Sequence, residues 1–212
     1  MQQEEKREVP TALRKVLAVD AYLTDVFVKY MERFLPFQQV KKYYTALEIS
    51  GHGVPWFASV LAFIWILNNK NLYQMQVNIL IGLLIDITLV ALLKALTRRR
   101  RPGFNDDPFA VGPDKYSFPS GHTSRATLVV YFFLYLWPVS FICIPPLCTW
   151  VAAVGLSRIL MRRHHILDIT AGVLLGIFDG MLLGYIYLET ETCVNLISWI
   201  TDEKVDGPEY DV

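Results

Sequence analysis

Little in this chain of 212 residues marks it for export or for covalent stapling. Its three cysteines, Cys143, Cys148 and Cys193, are odd in number, lack CxxC spacing and sit in or beside apolar runs. That pattern excludes a disulfide framework and reads as small buried hydrophobes. No asparagine begins an Asn-x-Ser/Thr triplet, so nothing marks a glycosylated loop. The opening MQQEEKREVP has no apolar core after a basic start, so no cleavable signal peptide is expected and membrane entry must use internal spans. Charge is scarce too. Only 19% of residues are charged and the formal net charge is zero, which argues against a general nucleic-acid binder. No obvious carboxylate cluster could hold a metal, so neither metal nor cofactor is expected.

What is present is apolar. With 53% hydrophobic residues and a mean hydropathy of +0.33, the chain suits a bilayer better than water. Its length allows one domain, and a spanning helix needs about 20 mostly apolar residues. Five stretches are candidates. Val54 to Leu67 carries Trp56 and Trp65 near its ends, as interfacial aromatics do, and Val77 to Leu96 ends in a basic cluster. The run from Ala126 to Leu156 is too long for one span, and Trp137-Pro138-Val139-Ser140 divides it into two antiparallel helices. Ile166 to Leu188 is the fifth. Its Gly172, Gly176, Gly180 and Gly184 recur every four residues, a small-residue face for close helix packing in lipid. The expected fold is therefore an all-α, polytopic transmembrane bundle of about five spans. Asp86 and Asp179 fall inside spans, where a buried interhelical hydrogen bond is the default and a part in shaping the lipid cavity the alternative.

Ahead of the first span, Leu13 to Leu35 mixes apolar and basic residues, as one or two amphipathic helices on the membrane surface or a cap packed on the domain would. The chain thus divides into an N-terminal amphipathic arm over 1–47, a transmembrane unit over 48–188 and an acidic tail over 189–212. Eighteen of the 20 Lys and Arg residues fall on one face of the five-span topology. The positive-inside rule makes that face cytoplasmic. The tail, holding Glu189, Glu191, Asp202, Glu203, Asp206, Glu209 and Asp211 against one lysine, lies opposite if the fifth span fully crosses.

Three polar clusters collect on the basic face. In the first, Lys94 and Arg101 are seven residues apart, so on a helix both can address one anion, and Pro102 then stops the helix. Arg98, Arg99 and Arg100 read as a stop-transfer run. In the second, Pro119-Ser120-Gly121-His122 precedes an apolar helix whose free N–H groups and dipole favour an anion. His122 there can donate a proton to a leaving oxygen. In the third, Ser157-Arg158 precedes His164 and Asp168. The last two are four apart, so the Asp168 carboxylate can accept the imidazole N–H and leave the other nitrogen free to attack. His165 is the rival nucleophile. His52, in Gly51-His52-Gly53, either lines the headgroup pocket or marks a loop turn.

Together, Lys-x6-Arg-Pro, Pro-Ser-Gly-His and Ser-Arg-x5-His-x3-Asp resemble the signature of the type 2 phosphatidic acid phosphatase superfamily. That superfamily includes lipid phosphatases, glucose-6-phosphatase and vanadium haloperoxidases. Within it, Ser50 to Trp56, Leu92 to Leu96, Arg98 to Pro102 and Asp114 to His122 are similar to the polyisoprenoid (presqualene) diphosphate phosphatases. The resemblance covers about Glu48 to Leu188. It implies a metal-independent hydrolase of the endoplasmic reticulum or nuclear envelope, working on polyisoprenoid diphosphates or monophosphates through a phosphohistidine. His164 would be the nucleophile, His122 the proton donor and Asp168 the orienting acid. Lys94, Arg101, Arg158, Ser120 and the Gly121 amide would hold the phosphoryl group. The expected partners are the lipid substrate and membrane lipids. Rival readings are a phosphotransferase, a haloperoxidase, a phosphatase for phosphatidic acid or sphingoid phosphates, and an inactive lipid-binding scaffold.

Overall fold

The computed structural model describes residues 10–34, 37–103 and 112–201. Among these residues eight α-helices follow in order: α1 (Thr11–Glu32), α2 (Phe37–Gly51), α3 (Gly53–Leu67), α4 (Lys70–Thr97), α5 (Gly121–Tyr131), α6 (Ile144–Leu160), α7 (Ile166–Tyr185) and α8 (Thr190–Thr201). The five expected spans correspond to α3 through α7. Three helical stretches, α4, Phe141–Leu160 and α7, are long and apolar enough to cross a membrane. Alone, α3 is too short, since 15 residues reach only about 22 Å. Joined to the preceding α2 across a 59° bend at Gly51–Gly53 it passes the same test, so the described residues hold three such helices, or four with the bent pair counted as one span, against the five expected. The expected start of the transmembrane unit at 48 falls inside α2.

At the centre is α5, extended by a π-helical stretch over Phe132–Leu136. Residues Thr123 to Val130 are all buried. The glycine face of α7 lies directly against it. A Cβ on Gly172 would come within 2.7 Å of the Ser120 carbonyl, one on Gly176 within 2.2 Å of the Ser124 carbonyl, and one on Gly180 within 2.3 Å of the Tyr131 ring. Backbone contact this close needs hydrogen for a side chain, as the four-residue repeat implied.

Below the site, α4, α5 and α7 share an apolar core that includes Val77, Leu83, Leu128, Phe132 and Leu183. Within it stands an ionic group. Arg125 of α5 pairs with Asp86 of α4 at 2.8 Å and donates to the Gly51 carbonyl at 3.0 Å. Asp179 accepts from Ser124 at 3.5 Å. The mid-span carboxyls thus bridge helices as expected, but Asp86 does so through a cation one turn into α5.

The opposite end differs from expectation. α4 begins at Lys70 and not near Val77, because its polar first turns have partners. Asn78 donates to the Leu188 carbonyl at 3.0 Å and accepts from the Leu188 amide at 2.8 Å, and Gln74 donates to the same carbonyl at 3.1 Å. That clamp turns the chain into α8, where an acidic tail was expected. Cys193 and Ile197, one helical turn apart, are buried against the core. The expected tail charges from Asp202 onward lie outside the described residues.

Candidate active site

Four helix ends meet on one face: the C-termini of α4 and α6 and the N-termini of α5 and α7. They bound a cavity of about 260 Å³ lined by Lys94, Arg101, His122, Arg158 and His164, with His52 at the side. The three sequence clusters, spread over 75 residues, are brought together there. Lys94 occupies the last turn of α4, Gly121 and His122 the first turn of α5, and Arg158 the last turn of α6. His164 sits in the tight link between α6 and α7.

His164 is 2% exposed, and its Nδ1 lies 2.7 Å from the Ser117 carbonyl. A carbonyl can only accept, so Nδ1 carries the proton and Nε2 the lone pair. The expected Asp168 hydrogen bond is replaced. Asp168 Oδ2 is 3.8 Å from that Nδ1, too far to be the acceptor, and takes the His165 amide at 2.7 Å and the His165 Nδ1 at 3.2 Å instead. The reason is local. His165 precedes the first turn of α7, whose third residue is Asp168, so the carboxylate reaches back to cap the helix. Asp168 faces His164 as a nearby charge, and the orienting acceptor comes from the Ser117 backbone. Burial, with Lys94 and Arg101 alongside, holds the His164 imidazole well below the usual histidine range, against the opposing pull of Asp168 and Ser117.

Ser120 is the other departure. Its hydroxyl lies 3.0 Å from Thr123 Oγ1 and caps α5 through the Thr123 amide, while its own amide donates to the Asp168 carbonyl at 3.0 Å. Its side chain does not line the cavity, whereas Gly121 does. A Cβ at Gly121 would stand 3.1 Å from Val90. His122 lines the cavity with its buried Nε2 unpartnered among the described residues, and its ring meets that of His52 edge to face at 5.7 Å. His52 also caps α3 by accepting from the Val54 amide at 3.2 Å. It is therefore both a turn residue and a cavity wall.

Each cation has an acidic or carbonyl neighbour. Lys94 pairs with Asp114 at 2.5 Å, Arg101 donates to the Asp114 carbonyl, and Arg158, 1% exposed, pairs with Glu48 at 2.9 Å. Sequence reasoning passed over Glu48, Asp114, Ser117, Arg125 and Arg163. Ser117 offered only a backbone carbonyl, which no residue pattern reveals. Arg125 stood just before the apolar run that begins at Ala126, where it read as one more charge of the basic face. Among the described residues, no group of His, Cys, Asp and Glu side chains could hold a metal.

A buried cluster of phosphate-competent cations beside two histidines, on a membrane-spanning helical bundle, defines a class. The PAP2 superfamily model matches residues 75–190, and the chain belongs to that superfamily. It is a multi-pass membrane lipid phosphatase that works without a metal ion. A relative in Arabidopsis thaliana, "Probable lipid phosphate phosphatase beta", is 32% identical and the alignment covers 78% of this chain and 87% of the relative. Two solved structures share the fold. The PAP2-type phosphatidylglycerolphosphate phosphatase of Bacillus subtilis has a TM-score of 0.59 at 19% identity, covering 93% of this chain and 90% of that one. Aquifex aeolicus LpxE has a TM-score of 0.53 at 20% identity, covering 68% and 85%.

Proposed function

We propose that this enzyme removes the terminal phosphate of polyisoprenoid diphosphates at the cytosolic face of the endoplasmic reticulum or nuclear envelope, through a phosphohistidine at His164. The observation that carries the reading is the Ser117 carbonyl at His164 Nδ1, which leaves Nε2 nucleophilic in a cavity of cations. His165 does not line that cavity, and its Nδ1 is engaged by Asp168. Nε2 attacks the terminal phosphorus while Lys94, Arg101 and Arg158 hold the equatorial oxygens. The P–O bond to the lipid monophosphate breaks, and His122 protonates the departing oxygen. Water then gives a proton to His122 and its oxygen to phosphorus, releasing phosphate and regenerating His164.

An apolar cavity supports a place for the lipid tail. It has a volume of about 490 Å³ and is lined by Ile49 of α2 and Trp56 and Phe63 of α3, on both arms of the bend, with Val129, Phe133 and Trp150. Its walls suit a branched hydrocarbon. Beyond the phosphoryl-binding three and the Asp86-paired Arg125, Arg163 also lines the first cavity, which favours a diphosphate over a monoester. The competing reading takes its substrate from the Arabidopsis relative's name and makes this a lipid phosphate phosphatase. Purified enzyme in detergent, given farnesyl, geranylgeranyl and presqualene diphosphates and phosphatidic acid, decides between them. The expected kcat/KM is at least about tenfold higher for the diphosphates, roughly 1.4 kcal/mol of transition-state preference. Equal or better phosphatidic acid turnover overturns the substrate assignment.

A further inference from the structure

α1 is built the wrong way round for a helix that packs only to bury apolar surface. Its three buried side chains are Asp20, Thr24 and Val28, one stripe at four-residue spacing, while Val16, Val19, Tyr22, Leu23 and Val26 face outward. Burying a carboxylate and a hydroxyl is costly unless both are satisfied. Here both meet the start of α7. Asp20 Oδ1 accepts the Leu167 amide at 3.1 Å, and Thr24 Oγ1 accepts the Ile166 amide at 3.2 Å. Those are first-turn N–H groups with no partner inside their own helix. The second Asp20 oxygen takes Arg99 Nη2 at 2.5 Å, and Arg99 Nη1 takes Asp168 Oδ1 at 2.7 Å. Farther along, Arg162 pairs with Asp25 at 2.9 Å. The whole link carrying His164 is thus gripped from outside, by a helix that lies beyond the residues matched to the superfamily.

We infer that Asp20 and Arg99 are positioning residues: through the chain Asp20–Arg99–Asp168, α1 fixes the Asp168 carboxylate and the turn that presents His164. Neither residue lines the cavity, so neither touches substrate. The inference rests on His164 as the nucleophile. Arg99, in a run that reads as a topology signal, acquires a role in turnover. Supporting contacts of this kind, when lost, typically cost about 10- to 100-fold in activity.

The test uses the full chain in detergent with farnesyl diphosphate labelled in its terminal phosphate, comparing wild type with Asp20→Asn, Arg99→Met, Arg99→Lys and the double variant Asp20→Asn/Arg99→Met. Expected is a fall in kcat of about 10- to 100-fold with KM within about twofold, because only presentation of the nucleophile changes. Arg99→Lys, which keeps the charge but loses the fork, should lie between wild type and Arg99→Met. The double variant should be no worse than the poorer single, since both break one chain. Unchanged kcat in the single variants, or additive losses in the double, overturns the inference. So does a matched loss in kcat, ligand affinity and unfolding temperature, which assigns α1 to the fold alone. Mapping the trapped label by alkaline quench separates this from the nucleophile assignment. Label on His165 refutes the mechanism whatever α1 does, whereas label on His164 with unchanged kcat refutes only the role of α1.

Discussion

Two buried guanidinium groups, each neutralised by carboxylates, do different work because one stands at the rim of the bundle and the other in its middle. Arg99, just past the end of α4, joins Asp20 midway along α1 to Asp168 in the first turn of α7, at the edge of the bundle. Arg125 joins Asp86 and the Gly51 carbonyl between packed helices, and Asp86 is fully buried, so its carboxylate has no solvent to turn to if the pair is lost. The rim cluster can therefore serve chemistry at modest cost to the fold. The interior pair ties α4, α5 and the α2–α3 bend together, so its loss falls on stability.

The sharpest test of that division is His164→Ala. Activity should drop at least about 10³-fold, roughly 4 kcal/mol of barrier, with the unfolding temperature in detergent unchanged, because the side chain sits in a link and not in the apolar core. Retained turnover, or protein lost to aggregation, would break the contrast.

Arg125→Met should behave in the opposite sense. It leaves Asp86 buried and unpaired, a loss of about 3–5 kcal/mol that a thermal-unfolding assay in detergent reads directly. Removing both charges in Arg125→Met/Asp86→Leu should recover most of that stability. An unstable double variant would mean that the pair is needed for more than mutual neutralisation.

The pH profile gives a smaller effect at the rim. In the proposed mechanism neutral His164 is the reactive form, and burial with Lys94 and Arg101 holds its pKa below the usual value. The acid limb of kcat/KM assigned to His164 should therefore lie below about pH 6.5, the ordinary histidine value. Lys94→Met removes one of those cations, so the residual activity should show the limb displaced toward higher pH. A displacement toward lower pH would contradict the charge account. The smallest effect expected is none: full activity in excess EDTA, since side-chain cations stand where other phosphoryl-transfer enzymes place Mg²⁺. Loss of activity that added Mg²⁺ restores would overturn it.

The sequence by itself determined the apolar helices from Val54 onward, though not how many of them span, the division of the long apolar run at Trp137–Ser140, the glycine face of α7 and the three clusters on one face. Hydrophobic run length, helical period and residue chemistry are local properties, and a one-dimensional reading captures them. Only the tertiary structure decided which acceptor orients His164. The Ser117 carbonyl and the Asp168 carboxylate both lie near Nδ1, and the choice depends on a helix cap formed with His165. The same holds for Arg99, one of four arginines alike in sequence, which alone reaches both Asp20 and Asp168. It holds for α8 as well, where Asn78 and Gln74 fold an acidic segment back onto α4 from more than 100 residues away. Such choices are set by competition among partners brought close by packing, and partners distant along the chain leave no periodicity to read.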